Sequence, residues 1–594
     1  MQAHDLDSSP AELDLTLLDL GPLAWVLDEL KTSLESASKA LRRFVREAET
    51  VSNSDLAALD AGQLRTARQQ LHQSLGALEM VGMNAPALML RAMESAVQKF
   101  IQSPALCTPE AANKIELAGF SLTHYLEDVL AGKPVSAVSL FPQYRDIQDL
   151  AGADRIHPAD LWAFEWRWIE PTVASTVDAR PYGDDARQLL DRLMLNLIRT
   201  GAPETARSLS DVCLGFAAAQ AGAEPRAFWK IAAGFFEALA QGLLKVDLYV
   251  KRATLRILLQ YVWLVRGTEA SARLAQDLLF MCSQAKVLRA ADAPVLSAVR
   301  SAYGLTRVKP VDYESVQFGR FAPALIAQAR KRIAAARESW SSATAGDLGK
   351  FKSLKDQFSL VSDSLVKLHP PSEPMARALS RVIDTTVAAG KAPAPELAME
   401  VAAAVLYLEA VFDDFDPNDP TLWTRTARIA ERLASAQAGG QPQPLESWME
   451  QLYQSVNDKQ TMVNVVDELR LSLADLEKSL DNFFRTPDDK KILAVVPGQL
   501  ARMQGVLSIL ELDQAALAVM NMRELVQQMI EQDIDEQQAR VAGMFDRLGN
   551  NLGALSFLID MLNYQPRLAR RLFVYDALKG ELKADRDTET HRHP

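Results

Sequence analysis

Two segments decide how this chain folds: GALEMVGMNAPALMLRAMESAVQKF at residues 76–100 and GVLSILELDQAALAVMNMRELVQQM at residues 505–529. When Gly76 is placed over Gly505, seven of the 25 positions carry the same residue, and many others exchange one apolar residue for another. Apolar residues recur every three or four positions in both segments, which is typical of amphipathic helices. The repeat predicts that one pair of helices occurs near both ends of the chain.

The similarity extends into the helix that follows each pair. After a shift of three residues, LEDVLAGKP at residues 126–134 aligns with LIDMLNYQP at residues 558–566. Apolar residues have helical spacing along almost the whole chain, and sustained alternation of apolar and polar residues is missing. We therefore predict an all-α fold of tandem antiparallel helical bundles, the first and last of them four-helix bundles.

Breaks rich in Pro, Gly and Asp divide the helices into blocks. These breaks cover residues 132–157, 307–312 and 436–444, and the last of them, AQAGGQPQP, is the clearest linker. At roughly 150 residues per domain, 594 residues suffice for about four domains. The predicted domains are residues 12–134, 158–303, 313–435 and 447–575.

Composition excludes several classes of function. A net charge of −12 and a pI near 5.3 provide no positive field for nucleic acid. The N-terminus is acidic where a secretory signal would be basic, and the most apolar helical stretch, residues 397–412, is shorter than the ~20 residues that cross a bilayer. Cys107, Cys213 and Cys282 are isolated, as expected for reduced thiols. We expect a cytoplasmic protein without membrane insertion.

The segment LHQSLGALEMVG, residues 71–82, contains a candidate site. His72, Gly76 and Gly82 reproduce the His-x-x-Lys-Gly-x5-Gly spacing of histidine-phosphotransfer (Hpt) domains, which this block therefore resembles, except that Leu75 replaces the lysine. On a helix, Gly76 lies one turn after His72 and leaves room for an incoming receiver domain. Arg68, one turn before His72, would supply a cation. We expect His72 to be exposed and to lack a buried hydrogen-bond partner.

The last block keeps only part of this pattern. Ala501 stands at the position of His72, Gln504 at that of the lysine, and Glu511 at that of Gly82. This copy has no phosphoacceptor and is interpreted as a binding or packing module. The candidate receiver-docking face therefore consists of Arg68, His72, Gly76 and Gly82 in the first block and Ala501 and Gly505 in the last.

Other chemistry-bearing residues form no recognisable site. A Gly-rich phosphate loop, a nucleophile elbow and a His-Glu-x-x-His segment are missing from the sequence, so neither an enzyme nor a bound cofactor is expected. His124 and Asp128 lie one turn apart without a third metal ligand, so no metal site is expected. His157 and His369 adjoin prolines and are expected in loops.

Three of the nine tryptophans cluster in DLWAFEWRWIEP, residues 160–171. Trp162, Trp166 and Trp168 are interpreted as anchors of a helix on the second block. The alternative is a patch that binds a partner.

Taken together, the chain resembles the N-terminal region of ChpA/PilL-type chemotaxis histidine kinases of type IV pilus systems and the free-standing FimL-type pilus regulators. The resemblance covers most of residues 10–580. It rests on four helical segments, which are LHQSLGALEMVG (71–82), FWKIAAGFFEALA (228–240), VLYLEAVFDDFDP (405–417) and LGALSFLIDML (552–562). It implies degenerate Hpt-like bundles at both ends and regulation of twitching motility.

The resemblance also implies partners: receiver domains of response regulators, and polar pilus-hub or chemosensory proteins that would recruit the chain to the cell pole. The favoured hypothesis is a non-catalytic scaffold of a chemotaxis-like two-component pathway. Two alternatives stay open, namely an active phosphotransfer protein that uses His72 and a detached N-terminal piece of a hybrid sensor histidine kinase.

Overall fold

The computed structural model describes residues 21–50, 61–174, 177–287, 289–347, 349, 351–417, 419–441, 443–485, 490–531, 543–564, 569 and 573–584. Twenty α-helices account for most of these residues, and the all-α prediction is confirmed. Residues 12–20 and 565–566, which the domain and repeat predictions include, lie outside the described residues. The chain divides into two compact units.

The first unit comprises residues 1–129 and 133–320. Its helices are α1 (Gly21–Glu49), α2 (Gly62–Met80), α3 (Asn84–Gln102), α4 (Pro109–Leu130), α5 (Phe141–Ala151), α6 (Asp184–Thr200), α7 (Pro203–Ala219), α8 (Ala223–Ala240), α9 (Leu248–Val265), α10 (Ala272–Gln284) and α11 (Pro294–Ala302). Lys31 of α1 pairs with Glu127 of α4 at 2.9 Å, and Arg42 of α1 pairs with Glu116 of α4. These pairs close the first four helices into a bundle.

The second unit comprises residues 130–132 and 321–594. Its helices are α12 (Pro323–Thr344), α13 (Phe351–Leu368), α14 (Glu373–Ala389), α15 (Pro395–Asp413), α16 (Pro420–Gln437), α17 (Ser447–Arg485), α18 (Val496–Ile509), α19 (Asp513–Glu531) and α20 (Met544–Tyr564). It has two separate apolar cores, one formed by α12–α16 and the start of α17, the other by the rest of α17 and α18–α20.

Single residues explain many of the helix ends. Pro203, Pro323 and Pro420 each begin a helix, where the N–H that proline lacks would have no partner within the helix. Gly152 and Gly201 end α5 and α6 in the left-handed conformation, which glycine adopts without steric cost.

The predicted break at residues 307–312 is held against the first unit. The buried Arg300 guanidinium donates hydrogen bonds to the carbonyls of Leu305 at 2.7 Å and Val308 at 3.1 Å. Further on, the carbonyl of Phe318 accepts hydrogen bonds from Ser121 and Gln143 at 2.9 and 3.0 Å. Residues 305–319 therefore pack on the first unit, although the third predicted domain begins at residue 313.

The predicted linker at residues 436–444 is also fixed by contacts. Arg432 is buried in a pair with Glu400 and donates to the carbonyls of Gln443 and Pro444 at 3.0 and 2.9 Å. Met449 at the start of α17 belongs to the α12–α16 core, whereas Val466 begins the core of the last bundle. The change from one core to the next therefore occurs inside α17. The division into four domains stays a prediction.

A short antiparallel hairpin follows the last bundle. Strand β1 (Phe573–Asp576) pairs with β2 (Glu581–Ala584), and the second strand lies beyond the predicted domain end at residue 575. The fully buried Asn551 of α20 donates to the carbonyl of Gly580 at 2.9 Å and accepts from the N–H of Leu582 at 2.7 Å. These bonds attach the hairpin to the bundle.

One helical window, Lys491–Ile509, is long and apolar enough to cross a membrane by length and composition, which is weak evidence alone. It differs from the stretch at residues 397–412 that the sequence analysis identified as the most apolar. Leu493, Val496 and Leu500 in this window are fully buried in the core of the last bundle.

Candidate functional site

The turns between α2 and α3 and between α18 and α19 have the same hydrogen bonds at a constant offset of 429 residues. The N–H of Gly82 donates to the Glu79 carbonyl at 3.1 Å, and Glu511 donates to Ser508 at 3.1 Å. Two further bonds match in the same way, Met83 to Leu78 and Leu512 to Leu507, both at 3.0 Å. This pattern is the Schellman helix ending, in which one residue adopts the left-handed conformation.

Gly82 and Glu511 are those left-handed residues, with φ of +77° and +58°. Glu511 is the sole non-glycine residue with positive φ in the part of the chain that the structure describes. The second glycine of the Hpt-like motif therefore serves the helix ending, and its conformation persists in the last bundle without glycine.

The buried faces of the two helix pairs also correspond. Aligned positions that are buried in both bundles are Leu71 with Leu500, Leu78 with Leu507, Leu90 with Val519, Met93 with Met522, and Val97 with Val526. Among the described residues, each pair follows one long helix, α1 or α17, and precedes another, α4 or α20. Superposition of the whole blocks stays a prediction.

His72 lies on the exposed face of α2, with 71% of its side chain exposed. Its Nδ1 is 3.3 Å from Glu94 Oε2 on α3, and Glu94 also accepts a hydrogen bond from Arg68 at 3.2 Å. Only 14% of the Glu94 side chain is exposed. His72 is therefore exposed and its partner Glu94 is half-buried, and sequence spacing on α2 does not show that α3 brings this carboxylate to it.

The last bundle carries the opposite charge at the equivalent position. Arg523 of α19 aligns with Glu94, and its guanidinium donates to Gln504 Oε1 of α18 at 3.3 Å. Ala501, at the position of His72, is exposed. In both bundles the second helix of the pair therefore places a charged side chain against the first helix: the carboxylate of Glu94 on α3 and the guanidinium of Arg523 on α19.

Gly76 and Gly505 lie in open space on their helices. A Cβ added at either position would meet no heavy atom within 4 Å outside its own helix backbone and chain neighbours. One turn after each glycine, a large apolar side chain is solvated: Met80 is 85% exposed and Ile509 is 82% exposed. Residues four apart on a helix lie on the same side of it. His72, Gly76 and Met80 therefore form one row on α2, and Ala501, Gly505 and Ile509 form the equivalent row on α18.

We call His72, Gly76, Met80 and Glu94 the first face. We call Ala501, Gly505, Ile509 and Arg523 the last face. Met80 and Ile509 occupy equivalent places in the two copies, and both side chains are solvated. The sequence alignment pairs them directly, but the sequence does not reveal that both are exposed.

Comparisons with known proteins support one assignment. A family model described as "FimL scaffold protein second domain" matches residues 175–316, and one described as "FimL C-terminal domain" matches residues 457–573. "Scaffold protein FimL" of Pseudomonas aeruginosa is 23% identical over 575 residues, which cover 91% of this chain and 93% of that protein. These matches support a FimL-type family for this chain. No solved structure matches it.

The C-terminal FimL model covers the α18–α19 pair that carries the last face, and the match ends at the start of β1. The first face precedes both matched FimL domains, but the alignment with the P. aeruginosa protein extends over most of the chain.

The tryptophan segment before the second FimL domain is not the predicted helix. After a short 3-10 turn, Pro158–Leu161, residues 162–171 run without helical structure, and alternate side chains pack inward. Trp162 stacks on Phe164 at 4.4 Å, and Trp166 stacks on Tyr303 at 6.1 Å between ring centroids. Aromatic residues alternate with Ala, Glu and Arg in WAFEWRW, and this period of two was the available signal for extended structure.

His157 and His369 lie in connections between helices, as expected, and both side chains are buried. His157 Nδ1 accepts from the N–H of Ala159 at 3.1 Å and so caps the 3-10 turn. Burial lowers the pKa of His157 to about 4. Beside it, Asp277 is buried and accepts from Arg155 through both oxygens at 2.8 Å. In the second unit, His369 Nδ1 lies 2.5 Å from Ser372 Oγ.

The remaining candidates are structural. Cys107, Cys213 and Cys282 are buried and free, and burial raises the pKa of Cys107 and Cys282 to about 12 and that of Cys213 still further. These thiols are poor nucleophiles because the thiolate is the reactive form. His124 Nε2 lies 3.9 Å from Asp128, which Lys133 neutralises at 2.8 Å. Among the described residues, no three His, Cys, Asp or Glu side chains are grouped to hold a metal.

Proposed function

We propose that this chain is a non-catalytic scaffold of a chemotaxis-like two-component pathway that regulates type IV pili and twitching motility, and that it docks response-regulator receiver domains on the first and last faces. The observation that carries the proposal is the repetition of an open glycine beside an exposed apolar side chain on both faces, although the histidine occurs on only one. The P. aeruginosa relative is named a scaffold protein, which agrees with this role.

The chemistry of the faces suits a receiver domain. Such a domain presents an acidic site around its phosphorylatable aspartate, so a cation near the glycine favours its approach. The last face offers Arg502 and Arg523 and has no acidic residue at the position of Glu94. It would therefore hold an aspartyl phosphate without accepting the phosphoryl group, because Ala501 has no nucleophile.

Further parts of the proposal rest on the resemblance alone. A scaffold of this pathway would work in the cytoplasm and be recruited to the cell pole by polar pilus-hub or chemosensory proteins. Neither enzymatic activity nor a cofactor is needed for such a role.

Docking is tested by adding bulk at the open glycines. In the full-length chain, Gly505→Arg and Gly76→Arg should weaken receiver binding at least about tenfold, or about 1.4 kcal/mol, measured by titration calorimetry. Gly553→Arg on α20 is the matched control, since an added Cβ there also meets nothing within 4 Å. Unchanged affinity for both face variants, with an intact circular dichroism spectrum, would show that receivers bind elsewhere.

A second candidate function is phosphotransfer through His72. The contact between His72 Nδ1 and Glu94 favours the tautomer with the proton on Nδ1, which leaves the Nε2 lone pair available as a nucleophile. The scaffold hypothesis expects no phosphoryl transfer when the chain is mixed with a phosphorylated receiver. An acid-labile label that appears in the wild type and disappears in His72→Gln would replace the scaffold hypothesis with a relay.

A further inference from the structure

Helix α9, inside the region matched by the second FimL domain, has a solvated apolar seam. Leu248, Leu255, Leu259 and Trp263 are between 46% and 55% exposed. The opposite side of the helix is buried in the domain core through Tyr249, Val250, Ala253, Ile257 and Tyr261. The exposed leucines are therefore not needed to attach α9 to its own domain.

The spacing of the exposed side is that of a coiled-coil seam. Positions 248, 252, 255, 259 and 262 of α9, and 266 just after its end, alternate steps of four and three residues; Val262 is half-buried, and the exposed Trp263 lies beside this row. Leu or Val occupies four of them, and Arg252 and Arg266 occupy the other two. A stripe this narrow fits a single facing helix, whereas a helix that lies on a bilayer needs a wider apolar face.

The charge of the seam has one sign. Lys251, Arg252, Arg256 and Arg266 lie on or beside it, and residues 248–268 include no acidic residue, although the chain as a whole has a net charge of −12. Of the four cations, Arg256 bonds to Asp277 at 3.2 Å. Asp277 itself is 1% exposed, so its charge does not face solvent.

The neighbouring helix α6 carries both signs of charge, with the exposed Asp184 and Asp185 in its first turn and exposed arginines further along. Gly183, just before α6, bonds to Tyr261 near the end of α9, and Gly201 just after α6 lies beside Val246 before α9 begins. The two helices are therefore antiparallel neighbours. Arg192, Leu195 and Arg199 of α6 are exposed, and the acidic Asp191 of α6 is partnered by Arg187 at 3.9 Å.

We propose that α9 is a docking surface for an acidic amphipathic helix of a partner protein, with its leucines against Leu255 and Leu259 and its carboxylates against Arg252 and Arg256. A second copy of α9 does not fit this surface, because two seams without acids would repel each other. The residues of this surface are different from those of the first and last faces.

The test uses the full-length chain and a fluorescein-labelled peptide about three heptads long, with Leu at positions a and d and Glu at e and g, followed by fluorescence anisotropy. A scrambled peptide and a peptide with Lys in place of Glu are the ligand controls. We expect Leu259→Gln and Arg252→Glu each to weaken binding of the Glu peptide at least about tenfold. The Lys peptide should bind Arg252→Glu more tightly than the wild type.

Matched control variants are Leu471→Gln, which alters an exposed leucine of α17, and Lys331→Glu, which reverses an exposed charge of α12. Both should bind the Glu peptide like the wild type. The proposal is overturned if the Glu peptide does not bind, if it binds the α9 variants with wild-type affinity, or if the scrambled peptide binds equally well. The last experiment measures sedimentation of the chain with vesicles of phosphatidylcholine and phosphatidylglycerol. If the chain sediments with these vesicles in a manner that depends on Leu259 and Arg252, and does not bind the peptide, α9 binds an anionic membrane surface instead.

Discussion

The helix pairs of the first and last bundles correspond in their buried faces and in the turn that joins the two helices, but they differ in the polar residues that face solvent. In the α2–α3 and α18–α19 pairs, matching leucines are buried and matching amides close the same turn. On the surface, His72 is replaced by Ala501 and Glu94 by Arg523. Packing tolerates little change in volume, whereas an exposed side chain is free to change, so the two copies have kept what holds the helices together and diverged in what a partner would meet.

The left-handed backbone conformation occurs in both bundles, although only the first bundle has a glycine at that position. Gly82 and Glu511 have the same left-handed φ because the following helix must start at the same place in both bundles. A side chain in this region costs about 1–2 kcal/mol, and the surrounding hydrogen bonds and apolar contacts offset that cost.

The largest expected effect tests whether the two cores are equivalent. Leu71→Ala and Leu500→Ala should each lower the free energy of unfolding of their own unit by about 2–5 kcal/mol, because both side chains are fully buried. Urea denaturation of the full-length chain, with the unit resolved by hydrogen exchange, would measure this. Leu471→Ala, at an exposed site, should lower the free energy of unfolding by less than about 0.5 kcal/mol. A large loss for one leucine and none for the other would break the comparison.

Lowering the pH should reduce the stability of the unit that contains the first bundle more than the stability of the last bundle. His157 has a folded-state pKa of about 4 against 6.5 when unfolded, so the unfolded state takes up a proton first as the pH falls below about 6.5. The stabilisation is present at pH 7 and is lost as the pH falls towards 4, by about 2 kcal/mol between pH 7 and pH 5. Residues 447–584 include no histidine and should lack this loss.

Hydrogen exchange of α10 and α20 at the two pH values, corrected for intrinsic rates, would measure the difference. His157→Asn keeps an oxygen acceptor for the capping bond to Ala159 and should remove the pH dependence. His72→Gln, an exposed histidine replaced, should leave it unchanged. Equal losses in wild type and His157→Asn would assign the effect to other groups.

The two left-handed positions should respond in opposite directions. Gly82→Ala should destabilise the first bundle by about 1–2 kcal/mol, and Glu511→Gly should stabilise the last bundle by about 0.5–1 kcal/mol. Gly76→Ala and Gly505→Ala, at open helical positions, should be stabilising by about 0.5–1 kcal/mol. Thermal unfolding would show the signs, and destabilisation by Glu511→Gly would mean that the Glu511 side chain contributes more than its conformation costs.

The smallest expected effect lies on the faces themselves. Glu94→Gln removes the partner of both Arg68 and His72, and Arg523→Gln removes the cation beside Gln504. Because the cationic partners of Glu94 are exposed, by 71% at His72 and 48% at Arg68, and Gln504 carries no charge, each change should alter stability by less than about 1 kcal/mol. Receiver binding should change more than stability does. If either variant unfolds the chain, the polar pair belongs to the structure of the bundle and not to a docking face.

Local signals predicted most of the helices and part of the site. Helical spacing of leucines identified the helices, and the glycines at 76 and 505 were placed correctly on α2 and α18. The extended segment around Trp162 was mistaken for a helix, since its alternation lasts only a few residues. The hairpin at residues 573–584 was missed because two strands of four residues carry too little periodicity to be recognised.

The sequence by itself determined the helical class, the terminal repeat and the row of residues that contains His72 and Gly76, because each depends on spacing along one helix. Only the tertiary structure decided which groups meet across helices: Glu94 with His72, Arg523 with Gln504, and His157 with Asp277. It also decided which apolar side chains remain in solvent, such as Met80, Ile509 and the leucines of α9. Burial and pairing of this kind depend on residues far apart in the chain, and one amphipathic pattern does not show which of its faces has a neighbour.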